Sequence, residues 1–286
     1  MISRRNFLVV VGASFGSAVC RTRADTPGLG TSSAGKRKLD RIGIQLYSVR
    51  QEMQRDMPAT LARIADIGYR EVEFAGYFGR TPAQVRQLLD QNHLSAPSTH
   101  LGFDLLGTDK WDKALDDAAA IGHEYATIAW IPENLRKDWR RIADQFNQAG
   151  EAARKKGLRF AYHNHDFELK STEATKPLDI LLANTDPAVV SYEMDVYWVT
   201  FAGADPKAYL RQYPTRFAML HLKDSAGPPD NKMVDVGTGK IDFAGILRLD
   251  ADQRQSVKHV FVEHDQPADP FAFAKNSFDF LKKLEY

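Results

Sequence analysis

Two kinds of apolar patterning alternate along this chain. Short runs rich in β-branched and aromatic residues recur at Arg41–Leu46, Glu71–Phe74, Leu94–Thr99, Tyr125–Ala129, Leu158–His163, Val189–Met194, Phe217–Leu222 and His259–Glu263. Their length and composition predict β-strands. Longer amphipathic segments lie between them, at Pro58–Asp66, Pro82–Asn92, Trp111–Ile121, Lys137–Lys156, Pro177–Asn184, Asp205–Gln212, Phe243–Leu249 and Pro270–Leu284. These predict helices. Gly68, Gly122 and Gly157 each follow a helical run, where a left-handed cap is needed. Thr81-Pro82 and Asp269-Pro270 read as helix starts with proline in the first turn.

Strands alternating with helices predict a parallel α/β architecture. A doubly wound sheet is the alternative, and it usually carries a Gly-rich phosphate loop after its first strand. Here the first strand runs into Gln45-Leu-Tyr-Ser48 with no such loop. The expected fold is therefore α/β, a single (β/α)8 TIM barrel over residues 39–286, close to the roughly 250 residues typical of that fold.

The start of the chain reads differently. Ser3-Arg4-Arg5-Asn6-Phe7-Leu8 is a twin-arginine pattern, and the uncharged run Leu8 to Cys20 that follows is short for a membrane span. Residues 1–24 are expected to be a signal peptide read by the twin-arginine export machinery, with cleavage after Ala24 and Gly16-Ser17-Ala18 as the alternative. The expected destination is periplasmic. Val19 is a poor residue before a lipidated cysteine, which argues against an anchor at Cys20. Residues 25–38, rich in Gly, Ser, Thr and basic side chains, read as a flexible linker.

Cys20 is the single cysteine, so thiolate metal sites and cysteine nucleophiles are excluded from the rest of the chain. Removing the four arginines of the leader from 38 basic residues leaves 34 against 37 acidic ones, a balance of −3. No basic stripe survives, and no nucleic-acid partner is expected.

The chemistry concentrates in four strings that each end an apolar stretch. They are Tyr162-His-Asn-His-Asp-Phe-Glu168, Tyr192-Glu-Met-Asp195, Leu220-His-Leu-Lys-Asp224 and Phe261-Val-Glu-His-Asp265. Strand alternation puts His163 and His165 on one face, and does the same for Glu193 and Asp195, His221 and Lys223, and Glu263 and Asp265. One residue from each strand can then meet at the C-terminal rim, where barrels of this kind place their active sites. The expected metal ligands are His163, Asp195, His221 and Glu263. Two imidazoles and two carboxylates suit one divalent Mn, Co, Zn or Fe ion better than an all-oxygen Mg or Ca site. His165, Glu193 and Glu168 are the neighbours that would replace a ligand or support one. Four independent strand ends carry this reading, because burying so many charges without a metal would be costly.

At these residues the chain resembles the xylose isomerase-like barrel superfamily, in particular the proteins called sugar phosphate isomerases/epimerases. Further matching stretches are Ile42-Gly-Ile-Gln-Leu-Tyr-Ser-Val-Arg50, Gly68-Tyr-Arg-Glu-Val-Glu-Phe-Ala-Gly76 and Ser98-Thr-His100. The resemblance implies one metal held by Glu, Asp, His and Glu from strands five to eight, with the two glutamates moving protons. Asp195, His221 and Glu263 match the last three, whereas His163 departs from the first. The resemblance extends to inosose dehydratase and to endonuclease IV. Where the latter has a second histidine three residues after the sixth-strand aspartate, this chain has Trp198, which argues against DNA repair.

The function expected is that of a metal-dependent sugar isomerase or epimerase working through an enediolate on a non-phosphorylated carbohydrate. Glu263 is the expected base, Glu168 or His165 its partner, and Lys223 the electrophile or acid. Gln45, Glu73 and His100 are expected to bind hydroxyl groups, with Trp198, Tyr47 and Phe103 as apolar walls. Two alternatives use the same residues: a lyase or hydratase acting on a 3-keto-glycoside, which needs one base and one acid, and a non-catalytic sugar-binding barrel. The segment 224–242, with Gly227-Pro-Pro229 and Gly237-Thr-Gly239, is long enough to fold over the site as a lid, and a plain surface excursion is the alternative.

Overall fold

Eight parallel strands close on themselves in this computed structural model, which describes residues 36–170, 175–253 and 256–286. The strands are Gly43–Gln45, Glu71–Phe74, Ser95–Leu101, Tyr125–Ile128, Arg159–His163, Val190–Asp195, Phe217–Leu222 and His259–Val262. Each pairs with its neighbours in sequence, and the last closes on the first through Gly43 with Phe261 and Ile44 with Val262. This is a single (β/α)8 barrel, with strands and helices at the positions expected and ends shifted by a few residues. The expected signal peptide (1–24) and the first part of the linker (25–35) lie outside the described residues. The end of the expected linker is tied down: Arg37 and Tyr286 exchange backbone hydrogen bonds of 2.8 and 3.0 Å.

Alternation along the strands builds two cores. Outward residues such as Ile44, Val72, Phe160, Leu220 and Val262 meet the helices, while Tyr125, Ala161, Met219 and Phe261 fill the barrel interior. The interior is thus packed and is not a pore. The helix Trp139–Lys155 shows how the outer layer seats. It buries Ile142, Ala143, Phe146, Ala149, Gly150 and Ala153, one stripe at helical spacing. Gly150 allows a close approach, since a Cβ there would lie 2.5 Å from the Val189 carbonyl oxygen. Gly122 ends the helix Asp109–Ile121 in the left-handed conformation (φ 92°), which a side chain would disfavour.

Three elements go beyond the expected pattern. Short helices occupy Arg50–Arg55 and Val196–Phe201, and a two-stranded hairpin joins Asp224–Ser225 to Met233–Val234. The hairpin changes the reading of 224–242. The buried Asp224 carboxylate accepts hydrogen bonds from the backbone N–H groups of Ser225, Gly237, Gly239 and Ile241. Val236 is buried, and its N–H bonds the Ser277 hydroxyl of the last helix. The segment is therefore pinned onto the barrel wall at Asp224 and Val236, which favours the surface excursion over the lid.

Candidate metal centre

Inside the barrel the apolar layer gives way, toward the C-terminal ends, to a layer of ionisable side chains. His163, Asp195, His221 and Glu263 stand at the ends of strands five to eight. Register places His163 beside Glu193, and Asp195 beside His221. All four are buried, and one ligand atom from each lies within 4.8 Å of every other. His221 Nδ1 is 2.7 Å from Glu263 Oε2, and His163 Nε2 is 3.7 Å from Asp195 Oδ2.

A second tier lies against this group, made of Gln45, Glu73, Ser98, His100 and Glu193. Glu73 is fully buried, and its Oε2 takes hydrogen bonds from Gln45 Nε2 at 2.7 Å and His221 Nε2 at 2.6 Å. Ser98 donates to its other oxygen. Glu73 can only accept when ionised, so the Nε2 of His221 carries a proton there. The nitrogen left for a metal is Nδ1, on the Glu263 side. Glu73 thus fixes the tautomer of a candidate ligand, the role an outer carboxylate commonly plays behind a metal-bound histidine. His100 Nε2 approaches Glu193 Oε2 at 3.0 Å and Glu73 Oε2 at 3.2 Å. Its Nδ1 faces the Gln45 amide nitrogen at 3.4 Å, a donor. The carboxylates can only accept, so His100 Nε2 carries a proton toward them. His100, His163, Glu193 and His221 form a second tight group. His100 enters it as a hydrogen-bond donor, which leaves the first group as the better ligand set.

Charge within the site follows from burial set against pairing. Burial works against every ion here. For Glu73 it is overcome by His100 and His221, which hold the carboxyl well below its usual range. For Glu193 burial and the nearby Glu73 oppose the charge, yet the three histidines hold it at about 2. His100 is raised to about 9 by Glu73 and Glu193 in spite of burial. His221 is likewise held charged by Glu193, Glu73 and Glu263. His163 goes the other way, because burial and the neighbouring His221 keep it neutral.

Lys223 completes the floor. Its ammonium is 2.8 Å from Glu263 Oε2, 2.9 Å from Asp265 Oδ1 and 3.0 Å from Asp195 Oδ2. These carboxylates keep it charged although it is buried. Burial still raises Asp195 to about 6, against the pull of Lys223. Asp195 Oδ2, close as it is to the ammonium, makes no hydrogen bond of acceptable geometry, and Glu193 Oε1 is also buried without one. An unsatisfied buried carboxylate oxygen beside two imidazoles and a second carboxylate is what a divalent ion would complete. The residues present fit such an ion.

A cavity of about 410 Å³ opens above this floor, and His100, His163, His165, Trp198, Lys223, Glu263 and Asp265 line it. The four expected ligands are brought together, with His163 and Glu263 lining the cavity and Asp195 and His221 wholly buried beneath it. His165, Lys223, His100, Trp198 and Tyr47 reach the cavity, whereas Phe103 is buried outside its lining. Three further expected residues do not reach it. Gln45 and Glu73 are wholly buried in the tier below, so direct contact with substrate hydroxyls is replaced by support of His221 and His100. Glu168 folds back to accept from the Tyr162 hydroxyl and the His165 N–H, and burial raises it to about 7. Tyr162 faces the helix layer against Phe146, which takes Glu168 off the cavity. Ser98, Asp265 as the partner of Lys223, and Trp130 at the cavity mouth were not expected. Trp130 could have been found as the tryptophan just past the fourth strand; Ser98 stands in the matching stretch Ser98-Thr-His100, but its pairing with Glu73 depends on strands being brought together.

The sequence profile of the xylose isomerase-like TIM barrel family matches residues 61–284. A solved structure of a sugar phosphate isomerase/epimerase from Parabacteroides distasonis is 27% identical, with a TM-score of 0.75, covering 85% of this chain and 98% of that one. An inosose dehydratase of Clostridium beijerinckii is 26% identical over 166 residues, 51% of this chain and 55% of that protein. One from Bacillus anthracis is 33% identical over 93 residues, 32% of this chain and 30% of that protein. The chain thus spans about half, or less, of the length of these dehydratases.

Proposed function

The chain belongs to the xylose isomerase-like TIM barrel family, and on that basis we propose that it is a metal-dependent enzyme that enolises a keto-sugar derivative and eliminates a β-substituent. The observation that carries this reading is the placement of Glu263 and Lys223, 2.8 Å apart, on the cavity floor, with Glu263 the glutamate that lines the cavity among the described residues. When bound by His163, Asp195, His221 and Glu263, a divalent ion supplies Lewis-acid polarisation of the substrate carbonyl. His221 and Lys223 both approach Oε2 of Glu263, which leaves Oε1 to take the proton next to the carbonyl. The C–H electron pair becomes the enolate, and Lys223 holds a fixed positive charge beside it. Collapse of the enolate breaks the bond from the β-carbon to the leaving oxygen. The protonated Glu263 returns its proton to that oxygen, so the products are an enone and an alcohol.

Simple epimerisation needs a second proton-carrying group on the opposite face of the substrate. The position matching the family's fifth-strand glutamate is His163, and Glu168 lies off the cavity. The relatives named inosose dehydratase support the eliminating outcome, as they are lyases by name. The relative named isomerase/epimerase supports a second reading, in which His165, whose Nδ1 has no partner, faces the substrate as the other group. We also propose that the enzyme is exported, since Arg4-Arg5 and the apolar run behind it support a twin-arginine leader.

The test is to incubate the Mn-loaded protein with a 3-keto-glucoside and, separately, with free ketoses. Aglycone release without epimer formation is the expected result. Epimer formation without release would move the assignment to the isomerase reading, and no turnover of either would reject both. Glu263→Gln should lower the rate by about 10²- to 10⁴-fold, the usual loss of a general base.

A further inference from the structure

The cavity has a charged floor and an aromatic mouth. The large apolar residues exposed among those described are Trp130 (52%), Leu135 (44%) and Tyr47 (41%). Trp130 and Tyr47 both line the same cavity as His163, Lys223 and Glu263. They come from different parts of the rim, Trp130 just past strand four and Tyr47 just past strand one. An arginine fixes each ring. Arg136 lies 4.5 Å over Trp130, with its Nε donating to the Ile131 carbonyl at 2.8 Å. Arg50 lies 4.0 Å over Tyr47 and donates to the carbonyls of Tyr47 and Asp265 at 2.9 and 2.7 Å. The rings are therefore exposed yet pinned. Folding alone gains little from a solvent-facing tryptophan held in place, whereas a ligand that stacks on it would meet a platform already ordered.

We propose that Trp130 and Tyr47 form a subsite for the leaving part of the substrate, a ring with an apolar face joined to the sugar that reacts on the floor. This rests on the reading above, in which a glycoside is cleaved, and names the part of the substrate that the metal does not hold. Polar groups at the floor suit a polyhydroxylated ring, and the aromatic mouth suits a flat one. The cavity falls within the roughly 300–1,000 Å³ of pockets that enclose a ligand larger than a single small fragment. An aromatic aglycone and the face of a second pyranose share this chemistry.

Calorimetric binding to the metal-loaded full chain separates the cases, using p-nitrophenyl 3-keto-glucoside, 3-keto-cellobiose and methyl 3-keto-glucoside. Either two-ring ligand, or both, should bind roughly 2- to 10-fold more tightly than the methyl glycoside. Which of them does so identifies the source of the ring. Trp130→Ala should bring the ratio to about 1, and Trp130→Phe, the control for folding, should keep most of it. Equal affinity of all three ligands for the wild-type protein would overturn the subsite alone. A ratio that survives in Trp130→Ala and in Tyr47→Ala would do the same. Binding of none of the three would overturn the subsite together with the glycoside reading.

Discussion

His221 is the residue through which the two tiers of the site communicate. Its Nε2 is committed to Glu73 and its Nδ1 faces Glu263. Glu73→Gln keeps the shape and removes the charge that fixes this tautomer. Metal affinity should fall by about 10- to 100-fold, measured by competition with a chelating dye. An unchanged affinity would remove Glu73 from the support of the site. Protonation adds a second expectation. Asp195, at about 6, has to be ionised to ligate, and the charged His221 has to give up its Nδ1 proton. Metal affinity should therefore climb with pH through neutrality as His221 yields its strongly held proton, and fall most steeply below about pH 6, where Asp195 protonates as well. Affinity that is flat between pH 5 and pH 8 would show that these two groups are not ligands. The convergence of these four candidate side chains was legible because strand alternation and strand ends are written in local sequence. The tier beneath them was not. Glu73 and His221 are 148 residues apart, and only closure of the barrel makes them partners.

At the scale of elements, periodicity found the strands and helices of the barrel but missed the helix Val196–Phe201. Val-Tyr-Trp-Val-Thr-Phe is a β-branched and aromatic run that reads as strand, yet Asp195 Oδ1 caps it by accepting from the Trp198 N–H at 3.0 Å. One carboxylate thus ends a strand, starts a helix and offers its other oxygen to the metal site. The segment 224–242 left lid and surface excursion open for a related reason. Its glycines and prolines mark turns, but the buried acceptor that gathers those turns, Asp224, looks in sequence like an ordinary loop aspartate. Asp224→Ala would strand four backbone N–H groups and should cost about 2–4 kcal/mol in urea unfolding, with faster hydrogen exchange at 237–241. Full protection of that segment in the variant would show that the hairpin alone holds it.

At the scale of the molecule, the barrel carries a concentrated burden of buried charge at one end. Carboxylates of Glu73, Glu193, Asp195 and Glu263 are held in place by histidines and Lys223. An ion that binds the folded chain but not the unfolded one adds about 2.7 kcal/mol at a hundredfold excess over its dissociation constant. For a domain of this size that raises Tm by roughly 5–10 °C. Mn, Co, Zn or Fe(II) should each produce such a shift in a thermal scan, and Mg or Ca a smaller one, as the nitrogen donors require. Equal shifts from all six would point to adventitious carboxylate binding.

Four strand ends, with histidine in the fifth-strand position, are proposed to hold one divalent ion. Anomalous diffraction at the manganese edge from crystals grown with Mn should show a single strong peak bounded by His163, Asp195, His221 and Glu263, with Lys223 drawn toward Asp265. No peak there, or a peak confined to His100 and Glu193 in the tier below, would overturn this assignment.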